Sequence, residues 1–501
     1  MIATQVLASG EKVSQGPLEP LFQVRILARQ PLRGSVDAQE QQVTESTAVV
    51  ILAAGAGTRM RSTLAKPLHP ILGRPMIDYV AQAVAGIDAD QVIVVLSPQL
   101  NQNDAVLTRL QGLFGNRLAI ALQREPNGTG SALQAAAPFL AEHKLVLVVF
   151  ADHPLLDTET VGHLIAIPLT TNAPLTLLTC QVDDPAGYGR IDRDAAGSVR
   201  GIVERKDDDP ARRTGPAEVN SGMMAINGPW LNSVLGTLSV SPHTNEVYLT
   251  ELAELAVRDG KAVQTVTGSR LVLEGVNTRA ELAHAEDLIQ EAVFARHLAN
   301  GVSLVRARTS VIEPQVSIGM DSVILPGCML LGATIIGANC TIGPHTILRN
   351  ATIADGCTIT SSAIEDSSVG TGSDVGPFSH IRNGSVIDPN VHIGNFAEIK
   401  NSHLHSGVRT GHVSYLGDAE VGARTNIGAG VVTCNFDGTR KHATIIGEDV
   451  FVGSDTMLVA PVILGDRSVT GAGAVVTRNV PRDVRVVGVP ARPISPEGNR
   501  E

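Results

Sequence analysis

From Ile318 to about Val476 the apolar positions return every sixth residue. Ile318, Ile324, Leu330, Ile336, Ile342 and Leu348 form one run, and Val369, Val375, Ile381, Ile387, Ile393 and Ile399 form a second. Ile446, Val452, Leu458 and Leu464 form a third. Neither the 3.6-residue period of a helix nor the alternation of a strand accounts for them. A six-residue unit of one short strand and one corner, with one branched side chain turned inward, does account for them. Such units stack into a parallel β-helix. Three units close a triangular coil of about 18 residues, with neighbouring coils about 4.8 Å apart.

Upstream the pattern changes. Residues 1–47 are rich in Gln and Ser, are interrupted by Pro17, Pro20 and Pro31, and predict a flexible extension. Order begins at Ala48, where AVVILAAGAGTRM is a buried-strand run ending in a Gly/Ala-rich turn. A helix-like stretch at Pro75–Ile87 follows, then strands QVIVVLS and LAIALQ, a helix from near Gly130, and strand LVLVVF at Leu145–Phe150. This alternation predicts an α/β, Rossmann-like parallel sheet with its site loops at the strand ends. Later β-like segments are PLTLLTC, GSVRGIVE and VNSGMMAI, and Leu249–Ala256 and Arg279–Leu298 read as helices. The expected organisation is an extension at 1–47, an α/β domain at 48–277, a helical linker at 278–304, a β-helix at 305–480, and a tail or cap at 481–501.

Composition narrows the function classes. The 49 glycines suit a chain with many tight corners, and the 3% aromatic content suits a narrow interior filled by Ile and Val. A formal charge of −11 argues against nucleic acid as a partner. The five cysteines are odd in number and form no CxxC pair, so free thiols in a reducing compartment are expected. No signal peptide or 18-residue apolar span is evident, which predicts a cytoplasmic protein with no integral membrane segment.

The first candidate chemistry lies in LAAGAGTRMRSTLAKPLHPILGRPM, Leu52–Met76. Gly55 and Gly57 let backbone N–H groups approach an anion, while Arg59 and Lys66 add positive charge against a triphosphate. Neither GxxxxGK(S/T) nor GxGxxG is present. FADHPLL, Phe150–Leu156, sets Asp152 just after a strand, where a carboxylate can hold a hard divalent cation.

The block LxxGxGTRM…KP resembles the signature of the sugar-nucleotide pyrophosphorylases. The resemblance implies that Leu52, Gly55, Gly57 and Lys66 wrap UTP, and that QREPNGTGSALQ brings Gln123, Gly128 and Thr129 to its uracil side. It further implies that Asp152 holds Mg2+ with Asn277 of EGVNTRAEL. Sugar contacts are implied for Gly189 in GYGRI, Glu204 in IVERKD, Asn220 in EVNSG, and Asn277. NEVYLTEL, Asn245–Leu252, matches the family's NExYLTD except at Glu251, and FAD stands where the family has YGD. In-line attack of a sugar 1-phosphate on the α-phosphorus of UTP needs no covalent nucleophile. Catalysis then rests on charge neutralisation by Mg2+, Arg59, Lys66 and backbone amides.

The second candidate lies where the six-residue rhythm lapses, between Ile427 and Ile446. NIGAGVVTCNFDGTRKHATIIG carries Asn435, Asp437, Arg440, Lys441 and His442 there, and Arg382, Glu398, Lys400, His412, Tyr415 and Asn426 precede Ile427. An 18-residue spacing stacks Arg382 and Lys400 on one face, about 5 Å apart in backbone. Two cations so placed point to a phosphate between them. His412, two hexads beyond Lys400, is a candidate general base with Glu398 as its orienter. His403, His405 and His442 read as corner residues, and the histidine spacing defines no tetrahedral zinc set.

From Pro377 to Val476 the blocks GNFAEIKN, YLGDAEVGARTNIGAG, TCNFDGTRKH and IIGEDVFVGSDTMLVAPV resemble the acetyltransferase half of the bifunctional enzymes that make UDP-N-acetylglucosamine. That resemblance implies a left-handed β-helix of hexapeptide repeats, assembled as a homotrimer. It implies Arg382, Lys400 and Lys441 on the phosphate of glucosamine 1-phosphate, Tyr415 and Asn426 on its sugar, and His412 as activator of the 2-amine. Acetyl-CoA is implied near Asn435, Phe436, Ser454 and Ala472. Phe436 and Val489 stand where the family often has Tyr and Arg, both on the CoA side.

The joint expectation is one enzyme with two centres, acetylating glucosamine 1-phosphate and then uridylylating the product. The alternative is a single-function sugar-1-phosphate nucleotidyltransferase whose β-helix serves only assembly; His412 with Lys400, Tyr415 and Asn426 argues against it. A non-catalytic scaffold predicts loss of Lys66, Asp152 and Asn277, and all three are present.

Overall fold

The computed structural model describes residues 46–494, apart from 56, 172, 186, 205–207, 210–213 and 242–244. All but the last two residues of the expected extension, and residues 495–501 of the expected tail, lie outside that set.

Thr47–Leu52 is buried along its whole length, as a run of apolar residues at the centre of a parallel sheet must be. In order across the sheet, the strands are Val263–Thr267, Leu175–Val182, Ala217–Asn227, Leu145–Phe150, Thr47–Leu52, Gln91–Leu96 and Leu118–Leu122. The last four are mutually parallel, and Ala217–Asn227 runs antiparallel to both its neighbours. The chain leaves Thr47–Leu52 toward one side and later returns to pair Leu145–Phe150 on the other. A crevice opens at the carboxyl ends where the strand order switches. The Gly55–Gly57 turn and Asp152 both fall there. Helices Met76–Ala85, Thr129–Ala136, Glu251–Arg258 and Arg279–Ala299 lie where the apolar pattern predicts them. Asp104–Phe114 is not evident from that pattern; its start is fixed by Asn103, whose side chain accepts from Val106 N at 3.2 Å.

Thr278 and Glu281 form a reciprocal capping box at the start of the helix Arg279–Ala299. One stripe of this helix, including Leu282, Ile289, Val293 and Phe294, is buried in a cluster shared with Met60, Ile71 and Leu72 before it and Val302, Ile312 and Val316 after it. The Gln290 side chain donates to Ile312 O at 3.0 Å and accepts from Ile312 N at 3.1 Å, pairing with that backbone as a neighbouring strand does.

The same helix buries His297, whose imidazole is pulled down to about 4 by burial first and by Arg296 second. An unfolded histidine takes up its proton near 6.5. The stability from keeping His297 neutral is therefore complete above about 6.5 and is lost as pH falls toward about 4. We expect a loss of roughly 2 kcal/mol between about pH 8 and about pH 5 that His297→Gln does not share. Denaturant midpoints at the two pH values check this, and equal losses in both proteins would overturn it.

The remainder is a parallel solenoid whose expected inward positions are buried, from Ile318 at 7% exposure to Leu464 at 0%. One inward file runs Ile324, Ile342, Ile359, Val375, Ile393, Thr410, Ile427, Val452 and Thr470, with steps of 18, 17, 16, 18, 17, 17, 25 and 18 residues. The coil is thus shorter than 18 residues over much of its length, and one coil carries an excursion. Arg485–Val487 pairs in parallel with Val469–Thr470, and Arg492–Pro493 then turns back antiparallel on it. The ladder therefore continues into the expected tail. Among the described residues, no helix is long and apolar enough to cross a membrane.

Two candidate active sites

A cleft of ≈ 490 Å³ covers the strand ends of the α/β sheet. Leu52, Gly55, Gly57, Arg59, Lys66, Gln123, Gly128, Thr129, Asp152 and Asn277 all line it. The Lys66 ammonium donates to the Asp152 carboxylate and, at 2.8 Å, to Asn277 Oδ1, which also accepts from Arg59 at 2.8 Å. Backbone pairing of Val276 N with Asp152 O, 2.8 Å, holds the two oxygen-bearing residues side by side. Asn277 N further donates to Glu281 at 2.6 Å, so the linker helix cap fixes its position. Burial alone would raise the Asp152 carboxyl, but His153 and Lys66 more than offset it and hold the group below the usual carboxylate range. Two oxygens, one of them ionised, thus converge on a compact cation, which is the donor set a hard divalent ion needs.

Glycine is required at one point of this turn and opens another. A Cβ on Gly57 (φ 62°) would lie 2.6 Å from Lys66 Cβ, so any side chain there displaces the lysine. A Cβ on Gly55 meets nothing within 4 Å, leaving its backbone open to the cleft. Gln123 is buried, with Nε2 donating to Gly128 O at 3.0 Å and to Ser131 Oγ at 2.6 Å. It shapes the loop from which Thr129 opens its helix. Phe150 and Tyr248 also line the cleft and escape the sequence reading, although both sit in quoted segments. Glu251 instead accepts from Ser239 N and Oγ, both at 2.9 Å.

Gly189, Glu204 and Asn220 form a separate group that is not part of the cleft lining. Asn220 N donates to Gly189 O at 2.8 Å, and a Cβ on Gly189 would stand 3.5 Å from both Glu204 carboxylate oxygens. Asn220 Oδ1 is buried with no hydrogen-bond partner among the described residues.

On the solenoid, Arg382 and Lys400 are in register on adjacent coils. Glu398 does not orient His412 as expected. It accepts from Arg382 Nε at 3.0 Å and from a terminal guanidinium nitrogen at 2.5 Å. The cause is strand alternation: Ile399 points inward, so residues 398 and 400 both face out beside Arg382. Lys441 lies beside Lys400, which pushes its ammonium below the usual lysine range. Tyr415 is in register with Glu398, and its hydroxyl accepts from Asn435 Nδ2 at 3.5 Å. Asn435 also donates to Asp418 at 2.5 Å, which holds it beside Tyr415. The excursion that follows is braced by Asp437, which accepts from Thr439 N, Arg440 N and His442 Nε2 at 2.8, 2.8 and 2.7 Å. These donors pull its carboxyl down to about 2. His442 is thus a brace of this loop, not a corner residue.

His412 occupies a different place. His412, Ala429, Ser454 and Ala472 occupy equivalent positions on successive coils, each two residues beyond the inward file of Thr410, Ile427, Val452 and Thr470. Lys400 aligns with Gly417, five residues further on, and the strand turns between them at Val413 (φ 28°). Twelve residues are about two thirds of such a coil, so the spacing from Lys400 to His412 changes face. Asn426 pairs with Arg409 and Phe451 on the preceding face, away from Tyr415. His412 Nδ1 lies 2.8 Å from Asn395 Oδ1. An amide oxygen only accepts, so Nδ1 carries the proton and Nε2 keeps the lone pair. Asn395, in the quoted GNFAEIKN, was not recognised from the sequence. Beside this corner run exposed Phe378, Phe396 and Val413, the two rings stacked at 5.5 Å and 19°. Phe436 and Val489 are exposed as well.

Comparison with known proteins follows the same division. The family model described as nucleotidyl transferase matches residues 48–270. The GMPPB C-terminal domain matches 312–388, and the bacterial transferase hexapeptide (six repeats) matches 443–478. The chain is 42% identical over 461 residues to "Bifunctional protein GlmU" of Pelobacter propionicus, covering 91% of this chain and 98% of that protein. It is 40% identical to the protein of that name from Stutzerimonas stutzeri, covering 88% and 96% of the two chains. The corresponding protein of Mycobacterium tuberculosis is 41% identical, with 87% and 88% covered.

Proposed function

The chain belongs to the GlmU family of bifunctional enzymes, and from that premise we propose how its acetyltransferase and uridylyltransferase activities divide between the two centres. The solenoid centre transfers the acetyl group of acetyl-CoA to the 2-amine of glucosamine 1-phosphate. His412 Nε2 takes a proton from the 2-ammonium, the freed amine attacks the thioester carbonyl to form the C–N bond, and the C–S bond breaks as the nitrogen's second proton passes to the departing CoA thiolate. Arg382, Lys400 and Lys441 hold the phosphate, and Tyr415 with Asn435 meets the sugar. Ser454 and Ala472 share the His412 corner, which supports a CoA path along that edge. In a single chain His412 is set apart from the cation face, and the adjoining ridge of Phe378, Phe396 and Val413 is exposed. Both observations favour a homotrimer in which a neighbour's face meets this corner.

The α/β centre joins N-acetylglucosamine 1-phosphate to UTP. A phosphate oxygen attacks the α-phosphorus in line, and the bond to pyrophosphate breaks. Asp152 and Asn277 would hold Mg2+, which neutralises phosphate charge. Lys66 and Arg59, released from those oxygens, turn to the phosphates, while the backbone of Gly55 and of Gly57 approaches them. Gly189, Glu204 and the unpartnered Asn220 Oδ1 receive the sugar.

The observation that carries this reading is the convergence of Lys66, Asp152, Asn277 and Arg59 in one cleft, in a chain that also lines up three cations on its solenoid. A paired assay of purified protein tests it. Glucosamine 1-phosphate with acetyl-CoA is expected to release CoA, and N-acetylglucosamine 1-phosphate with UTP and Mg2+ to release pyrophosphate. Silence in the first assay alone would leave the single-function alternative.

A further inference from the structure

His403 and His405 read as corner residues in the sequence, but they flank the fully buried Leu404, His403 on the short strand His403–Leu404 and His405 just past its end, so both imidazoles face outward on the same side. That strand lies between Val386–Ile387 and Ala419–Val421 in one sheet, which sets Asp388 on the coil before and Glu420 on the coil after. The rings lie 4.0 Å apart between the two carboxylates. His403 Nε2 is 3.0 Å from Asp388 Oδ1, and His405 Nδ1 is 3.1 Å from Asp388 Oδ2. The other two ring nitrogens face Glu420 Oε1, at 3.4 Å from His403 Nδ1 and 2.5 Å from His405 Nε2.

All four imidazole nitrogens therefore face carboxylate oxygens, but two neutral imidazoles supply only two N–H donors. Two lone pairs are left opposed to carboxylate oxygens. Two extra protons or one divalent cation balance them. On the Asp388 side, one ligand atom from each of Asp388, His403 and His405 lies within 4.8 Å of the others. A zinc ion bonding at about 2.0–2.1 Å sets its ligand atoms about 3.4 Å apart, so the three side chains close on the ion and leave a fourth position for water. On the other side Glu420 then accepts from both remaining N–H groups, the carboxylate support that fixes the tautomer of metal-binding histidines. We propose that Asp388, His403 and His405, oriented by Glu420, form a divalent transition-metal site matched to Zn2+ that ties three consecutive coils together. None of these four residues is assigned to either active centre.

Full-length protein, stripped with a chelator and dialysed, is titrated with Zn2+ against a chromogenic zinc indicator at neutral pH. One Zn2+ per chain is expected to bind through this cluster. His403→Gln/His405→Gln and Asp388→Asn should each weaken it by at least about tenfold, while Asp152→Asn leaves it in place. Equal stoichiometry and affinity in the unaltered chain and the double variant would overturn the site. A second measurement needs no variant. Co2+ added to the unaltered chain should give visible d–d absorption of nitrogen-ligated, low-coordinate metal that Zn2+ bleaches. A spectrum indistinguishable from aqueous Co2+ would equally overturn it.

Discussion

Replacing His412 by alanine is expected to lower acetyl transfer by about 10²–10⁴-fold, the range for loss of a general base. Uridylyl transfer in the same preparation should be unchanged. The argument rests on the Asn395 contact, which leaves Nε2 as the only ring nitrogen with a free lone pair. His412 is exposed and carries no part of the inward file, so truncation removes a functional group without opening the core. The measurement is CoA release from glucosamine 1-phosphate beside pyrophosphate release from UTP, on one sample. Equal loss of both activities would contradict two separate centres.

The mirror experiment is Asp152→Asn. It keeps the shape of the side chain but removes its charge. Lys66 then loses its ionic partner, and the cleft loses the anionic oxygen of its cation site. Uridylyl transfer is expected to fall by about 10²–10³-fold, comparable to removing one preorganised electrostatic contact to a developing charge. Acetyl transfer should persist. The readout is the initial rate of pyrophosphate release across a Mg2+ titration. A rate within about tenfold of the unaltered chain at saturating Mg2+ would show that Asp152 is not a principal ligand.

Much of this architecture was legible because its signals are local or periodic. The Gly55–Lys66 loop, the segment around Asp152 and the run ending at Asn277 each follow a strand or precede a helix cap, so their order already brings them to one crevice. The hexad files of Ile and Val were legible wherever a corner keeps its full residue count. Between Leu348 and Val369 the inward residues are Ile353, Ile359 and Ile364, and corners one residue shorter erase the six-residue period without disturbing the ladder.

What the spacing concealed is which face a residue occupies. Counting hexads put His412 two hexads beyond Lys400 but did not show its stacked neighbour, which is Asn395. The same limit hid the partnership of Glu398 with Arg382, which depends on register between coils. Asn435 is the third case. It opens the excursion, where the count has no meaning, and hydrogen bonds to Asp418 and Tyr415 decide its place.

The two closures of the β-helix ladder have a consequence for colloidal behaviour. A parallel ladder that simply stops presents a row of unpaired N–H and C=O groups, which can template the addition of another chain. At one end here the Gln290 amide already takes both backbone groups of Ile312. At the other, the antiparallel return of Arg492–Pro493 covers Arg485–Val487. Part of the ladder edge is thus already occupied at both ends, which disfavours end-to-end growth into a fibre.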